Sequence, residues 1–228
     1  DGVQIGYCGV TTPLPMSELT RVEPKIKTFT KIFRWMVVTR APFLSASIIP
    51  VLIAGAYAAQ VSAFSWLPFL LALVGAASVH VAANTWNDMY DWQSGADKIN
   101  HDYFLPYSGG SRAIELGLIT ERGLMRIALG SIAVALACGL GIAALGSPIV
   151  LPLGVLGAAA AWTYTAPPLR LIARRGLGEL LIGVAFGPLL SVGAVAAMTG
   201  SVDPVAALLG VPVGLLTTAI LWINEFPD

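Results

Sequence analysis

Charge is what this sequence has least of. Of its 228 residues, 11% are Asp, Glu, Lys or Arg, where a soluble domain carries about 25%. Apolar residues make up 56% and mean hydropathy is +0.77. That deficit excludes an ordinary water-soluble domain and points to a chain that crosses a bilayer. The 13 basic and 13 acidic residues cancel, so net charge offers no pull toward nucleic acid. Cysteine is nearly absent. Cys8 sits in a polar leader and Cys138 in an apolar run, with no CxxC or Cys/His spacing, which excludes a disulfide framework and a zinc site. Ten-residue alternating strands are missing, which excludes a transmembrane β-barrel. Residues 1–23 lack the basic-then-apolar pattern of a signal peptide. They read as a polar leader of unassigned role ahead of a membrane domain over 24–228.

What the sequence does have is long apolar runs. Six candidate spans lie at roughly 41–59, 66–86, 124–145, 149–165, 178–199 and 205–223. A helix needs about 20 residues to cross the hydrocarbon core, and the fourth run is short of that. The expected fold class is an all-α membrane protein, a multi-span helical bundle. Closely spaced glycine and alanine in "GLGIAALG" and "GVLGAAAAW" read as helix-packing surfaces. Every basic residue falls before span one, between spans two and three (Arg126 just inside the start of the third), or between four and five. The positive-inside rule then places those loops in the cytoplasm of a multi-pass protein of the cell membrane. The segment "PKIKTFTKIFRWMVVTR" before span one reads as an interfacial helix, with Phe29, Phe33 and Met36 on one face.

The stretch "NTWNDMYDWQSGAD", residues 84–97, closes the second apolar run with three aspartates and two asparagines. On a helix, His80, Asn84, Asn87, Asp88 and Asp91 share one face, while Trp86, Met89 and Tyr90 point elsewhere. Asp97 follows Gly95 and can fold back over the stripe. Acids at a membrane helix end are costly unless they face a bundle interior or a wet cavity. Two or three carboxylates with amide oxygens suit a hard divalent cation, Mg²⁺ above all, shared with substrate phosphates. Asn224 and Asp228 in "NEFPD" repeat the Asn-x-x-x-Asp spacing after the sixth span. Two such clusters suggest a two-metal site between helices. The chain starts with Asp1 and stops inside this repeat, so the expectation is a fragment with more spans beyond.

These motifs carry a likeness. "NTWNDMYDWQSGAD" resembles the first Asp-rich motif of the UbiA superfamily of intramembrane prenyltransferases, with Asn84, Asp88 and Asp91 fitting it. The spacing of three between the aspartates, with Asp97 added, looks like the MenA-like branch, the 1,4-dihydroxy-2-naphthoate polyprenyltransferases. "LPYSGGSRAIELGLIT", "YTAPPLRL", "RRGLGELLIGVAFGPLL" and "NEFPD" look like later motifs of that branch in the same order, over residues 34–228. The resemblance implies nine helices, of which six are present, and a Mg²⁺-dependent reaction. A polyprenyl diphosphate binds two ions at the cytoplasmic mouth, diphosphate leaves, and an aromatic ring attacks the allylic cation. Asn84, Asp88, Asp91 and Asp97 would hold one ion, and Asn224 and Asp228 begin the second site.

The remaining candidates are arginines and a tyrosine. Arg112 follows two glycines in "SGGSR" and offers a fork to phosphate oxygens, or is loop charge that sets topology. Arg170 is similar. Tyr164 orients a phosphate or the acceptor, or belongs to an aromatic belt. Arg40, in "TRAPF", touches an acceptor carboxylate or snorkels. His80 faces the acceptor or is a satisfied core histidine. Within the resemblance, 4-hydroxybenzoate, a glycerol-phosphate lipid or a porphyrin-derived alcohol are alternative acceptors, and the "GGSR" loop favours the naphthoate. A transporter with an acidic cation path is the rival class, disfavoured because the acids cluster on one side. A CDP-alcohol phosphotransferase would need a DGxxAR…GxxxDxxxD pattern, which residues 84–97 lack.

Overall fold

The computed structural model describes residues 30–95, 110–174 and 176–225. Regular structure among them is helical throughout. Helix α1 (Thr30–Val38) leads through a 3-10 turn (Ala41–Leu44) into α2 (Ser45–Gln60), followed by α3 (Trp66–Ser94), α4 (Glu121–Ala144) and α5 (Val150–Thr165). A second 3-10 turn (Leu171–Ala173) precedes α6 (Leu177–Val184), which continues through a π turn (Ala185–Leu189) into α7 (Leu190–Thr199). Helix α8 is Pro204–Glu225.

Five stretches are long and apolar enough to cross a membrane: Ala41–Gln60, Trp66–Ser94, Glu121–Ala144, Leu177–Thr199 and Pro204–Ile223. The fourth of the six expected spans, α5, has 16 residues. At 1.5 Å per residue that is about 24 Å, less than the ~30 Å hydrocarbon core. The chain is a multi-pass helical membrane protein built from five full-length helices and one short one among the described residues. Large apolar side chains point outward, as in a protein solvated by lipid: Leu129 and Leu136 on α4 and Leu208 and Leu215 on α8 are each more than half exposed.

One buried cluster joins α1, α3 and α4 through Val38, Trp86, Met89, Ala113 and Leu124 at the basic end of the bundle. A second joins α2, α3, α7 and α8 through Val51, Ala54, Phe69, Val195 and Ala206. At the far end, the Tyr57 hydroxyl donates to Asp203 Oδ2 at 2.6 Å, and the Val205 N–H donates to Oδ1 at 2.8 Å. These bonds, the tyrosine's foremost, hold the Asp203 carboxyl below its usual range.

Helix α8 crosses the α6–π segment on four glycines. A Cβ on Gly187 would lie 2.6 Å from the Gly210 carbonyl oxygen and 2.8 Å from the Gly214 Cα. Gly183 and Gly187, like Gly210 and Gly214, are four residues apart, the spacing that lets membrane helices touch backbone to backbone. The glycine runs singled out in the sequence behave differently from each other. Gly139 and Gly141 meet Leu151 and Leu71, whereas Gly154 and Gly157 face open space, so the packing expectation holds for the first run and not for these two. Pro188, with no N–H to donate, sits inside the π turn and accounts for the local widening.

Helix α3 runs eight residues past the end of the second expected apolar span and carries the polar stripe expected to be helical. Its 29 residues span about 43 Å, more than the bilayer core, so the acidic motif rides on the same rigid helix that crosses the membrane. Gly95 ends it in the left-handed region at φ 78°, its N–H reaching the Asp91 and Trp92 carbonyls. Helix α1 presents Ile32, Phe33, Trp35 and Met36 outward, as expected of an interfacial helix. Phe29 lies outside the described residues.

Candidate functional site

The last turns of α3 carry the candidate groups. Asp88 is 4% exposed and Asn87 9%; Asn84 and Asp91 are half-buried. The α1–α2 junction lies directly against this face. Asn84 Nδ2 donates to the Thr39 carbonyl at 3.2 Å. Arg40 adopts a left-handed backbone, φ 50° and ψ 44°, at the start of the 3-10 turn. Its Nη2 donates to Asn87 Oδ1 at 2.8 Å and forms an ion pair with Asp88 Oδ1.

The glycine loop closes the other side. The Ser111 N–H donates to Asp88 Oδ1 at 3.2 Å and the Ser111 hydroxyl donates to Asp88 Oδ2. Gly110 has φ 71°, and a Cβ there would stand 2.8 Å from Arg40 Nη2 and 3.2 Å from Asp88 Oδ1. Only glycine supplies both the backbone angle and the space. Arg112 is 2% exposed and left-handed at φ 46°, and its Nη1 donates to Glu115 Oε2 at 2.9 Å. Arg170 is the third arginine in this region of backbone space, at φ 39°. For residues other than glycine such angles cost about 1–3 kcal/mol and gather at functional sites.

Burial works against the Arg40 charge, yet the Asp88 carboxylate, helped by Asp91 and by Tyr164, keeps its protonation above the ordinary arginine value. Tyr164, near the end of α5, therefore belongs to the same electrostatic neighbourhood. Its ring packs beside Gly178 at the start of α6. Arg40 Nε, Asn87 Nδ2 and Arg170 Nε are buried without a partner among the described residues. Donors left unsatisfied in this way favour an incoming ligand rich in acceptor oxygens.

Deeper on the α3 face, the His80 Nδ1 lies 2.8 Å from the Ser47 hydroxyl, and the ring of Phe186, from the π turn, stands 4.7 Å away edge-on. His80 is thus held by protein partners and sits about 12 Å along the helix from Asp88. It has the partners of a packed core histidine. A separate cleft of about 850 Å³, lined by Arg34, Trp35, Trp92, Ile114, Leu118 and Arg126 among others, lies beside the Asp88 group and contains none of its members. Packing of α1 against α4 accounts for this cleft by itself.

The structure thus brings Arg40, Asn84, Asp88 and Asp91 together and places Tyr164 near them. Arg40, expected to touch an acceptor carboxylate or to snorkel, pairs with Asp88. Arg112 is held by Glu115. Asp97 and Asp228 lie outside the described residues, as does the Asn224 side chain. Among the described residues no group of three His, Cys, Asp or Glu is placed to hold a metal, and two of the expected acidic ligands are not among them. Gly110, Ser111 and the paired role of Asn87 escaped the sequence reading. The signal was present in "SGGSR", where two glycines and a serine precede the arginine that drew attention.

A family model described as the UbiA prenyltransferase family matches residues 47–228. The chain belongs to this family. It is 30% identical over 195 residues to a 1,4-dihydroxy-2-naphthoate octaprenyltransferase of Mycobacterium tuberculosis, covering 86% of this chain and 64% of that protein. It is 28% identical over 190 residues to the protein of the same name from Bacillus subtilis, covering 83% and 59%. UbiA prenyltransferase domain-containing protein 1 of Dictyostelium discoideum is 29% identical over 204 residues, covering 87% and 60%. The chain therefore spans about three fifths of the length of these relatives. No solved structure matches.

Proposed function

We propose that the protein transfers a polyprenyl group from polyprenyl diphosphate to 1,4-dihydroxy-2-naphthoate, a step of menaquinone biosynthesis. The observation that carries the reading is the Arg40–Asn87–Asp88–Ser111 group at the end of a membrane-crossing helix, in a chain whose bacterial relatives bear that acceptor in their names. Those names favour this acceptor, and the geometry supports the reaction class. Charge develops on a diphosphate as it leaves, and fixed donors aimed at that position lower the barrier. Arg40, Arg112 and Arg170, each set in a strained backbone, are the candidates for that task. Tyr164 orients the diphosphate or the ring. The prenyl tail is costly to expose to water, and a gap between helices opening to lipid would take it.

Asn84, Asp88 and Asp91 present oxygen alone, at i, i+4 and i+7 of one helix. That chemistry fits Mg²⁺, which prefers oxygen and shares itself between carboxylates and phosphates. Asp97, Asn224 and Asp228 would complete the set. Bound there, an ion would supply positive charge to offset that of the leaving diphosphate. The excess of arginine at this end supports a mouth on the cytoplasmic side.

The test uses full-length protein in membranes with labelled polyprenyl diphosphate, Mg²⁺ and a panel of acceptors. Prenylated naphthoate is the expected product. Transfer to 4-hydroxybenzoate or a glycerol-phosphate lipid, with none to the naphthoate, overturns the acceptor. Absence of transfer to every acceptor overturns the reaction.

A further inference from the structure

Asp88 already has a cation. Arg40 Nη2 sits on Oδ1, and the Ser111 N–H and hydroxyl take one bond on each oxygen. The guanidinium does not rest there loosely. Asn87 Oδ1 holds the same Nη2 at 2.8 Å, the backbone of Arg40 is locked left-handed by the turn, and Gly110 leaves room for the guanidinium where any side chain would displace it. The Arg40 side chain is 20% exposed and that of Asp88 4%.

We infer that Arg40 is a built-in counter-ion of Asp88, which a divalent cation must displace. The inference rests on the reading that Asp88 binds metal. Two positive charges crowded on one buried carboxylate repel, so the guanidinium and a metal ion are alternatives at Oδ1. A diphosphate resolves the competition. It brings several negative charges and pairs of oxygens that match the guanidinium fork, giving Arg40 a new partner as it leaves Asp88. Metal thus enters with the diphosphate, and Asn87 sets how firmly Arg40 holds the carboxylate beforehand. In this role Arg40 and Asn87 are positioning residues for the metal ligand.

The experiment is a titration of full-length protein in detergent micelles with Mn²⁺ alone, no diphosphate present, following the free-ion electron paramagnetic resonance signal. If Arg40 occupies Asp88 in nine molecules of ten, removing it raises apparent affinity about tenfold. R40A is expected to bind Mn²⁺ about that much more tightly than wild type, and adding D88N to R40A is expected to abolish the gain. Unchanged or weaker binding by R40A, or a gain that survives D88N, overturns the proposal. Where R40A is not recovered folded, N87A decides. It keeps both charges but removes one of the two acceptors on Nη2, so tighter binding supports the proposal and unchanged binding overturns it. Failure of the underlying reading looks different: D88N alone would then titrate like wild type, whereas failure of the counter-ion alone leaves D88N unable to bind while R40A gains nothing.

Discussion

Gly187 and Gly210 meet so closely that a Cβ on Gly187 would come within 2.6 Å of the Gly210 carbonyl oxygen. Backbone cannot yield as a side-chain end can, so a large residue at either position must push the helices apart. Gly187→Leu is expected to destabilise the protein by about 1–3 kcal/mol, the usual cost of overpacking, or to prevent assembly. Gly154→Leu, which faces open space, is the control. Thermal unfolding in detergent, compared between the two variants, checks the difference.

Asp88→Asn removes one partner of a buried ion pair. Breaking such a pair costs about 3–5 kcal/mol when fully buried, and somewhat less here because Arg40 reaches solvent. Prenyl transfer is expected to fall to background in Asp88→Asn and Asp91→Asn, while both variants still insert into membranes. Chelation of wild-type protein with EDTA should give the same loss, restored by added Mg²⁺. Wild-type rates from either variant, or from chelated protein, contradict the metal role.

Gly110→Ala places a methyl where Arg40 Nη2 and Asp88 Oδ1 now approach, on a backbone at φ 71°. The strain is expected to cost about 1–3 kcal/mol and to displace Ser111 from Asp88. Transfer activity should drop more steeply than stability. Activity and melting temperature measured on the same preparation separate the two effects.

The Tyr57–Asp203 contact makes stability depend on acid. Asp203 has a depressed folded-state value, so its contribution is present above the ordinary aspartate value of about 3.9. It is lost as pH falls through the lower folded value. The melting temperature of wild type is expected to decline more over that acidic range than that of Tyr57→Phe, and to differ least below it. Parallel curves for the two proteins would rule out this coupling.

Much of the framework was legible because lipid imposes a simple rule. Apolar runs had to be helices, and the polar face of 84–91 had to look inward. The apolar run ends at 86 because polarity marks where a helix leaves the membrane; the helix itself carries the polar stripe on to Ser94, and Gly95 stops it. The partner of Asp88 was not legible. Arg40 precedes it by 48 residues, and nothing local in "TRAPF" reveals a left-handed arginine turned toward another helix. The crossing glycines were equally hidden. Gly154 and Gly157 look like the same motif as Gly210 and Gly214, and only tertiary placement tells which pair meets a neighbour and which faces open space among the described residues.

The π turn at Ala185–Leu189 sets the rotational phase between the two halves of one membrane crossing. A residue deleted from regular helix rotates everything beyond it by about 100°, whereas a π turn houses one extra residue locally and leaves the turns on either side in phase. Gly178 and Gly183 thereby keep facing Tyr164 and Gly214 while Gly187 meets Gly210, across a proline-bearing wide turn in a single membrane crossing.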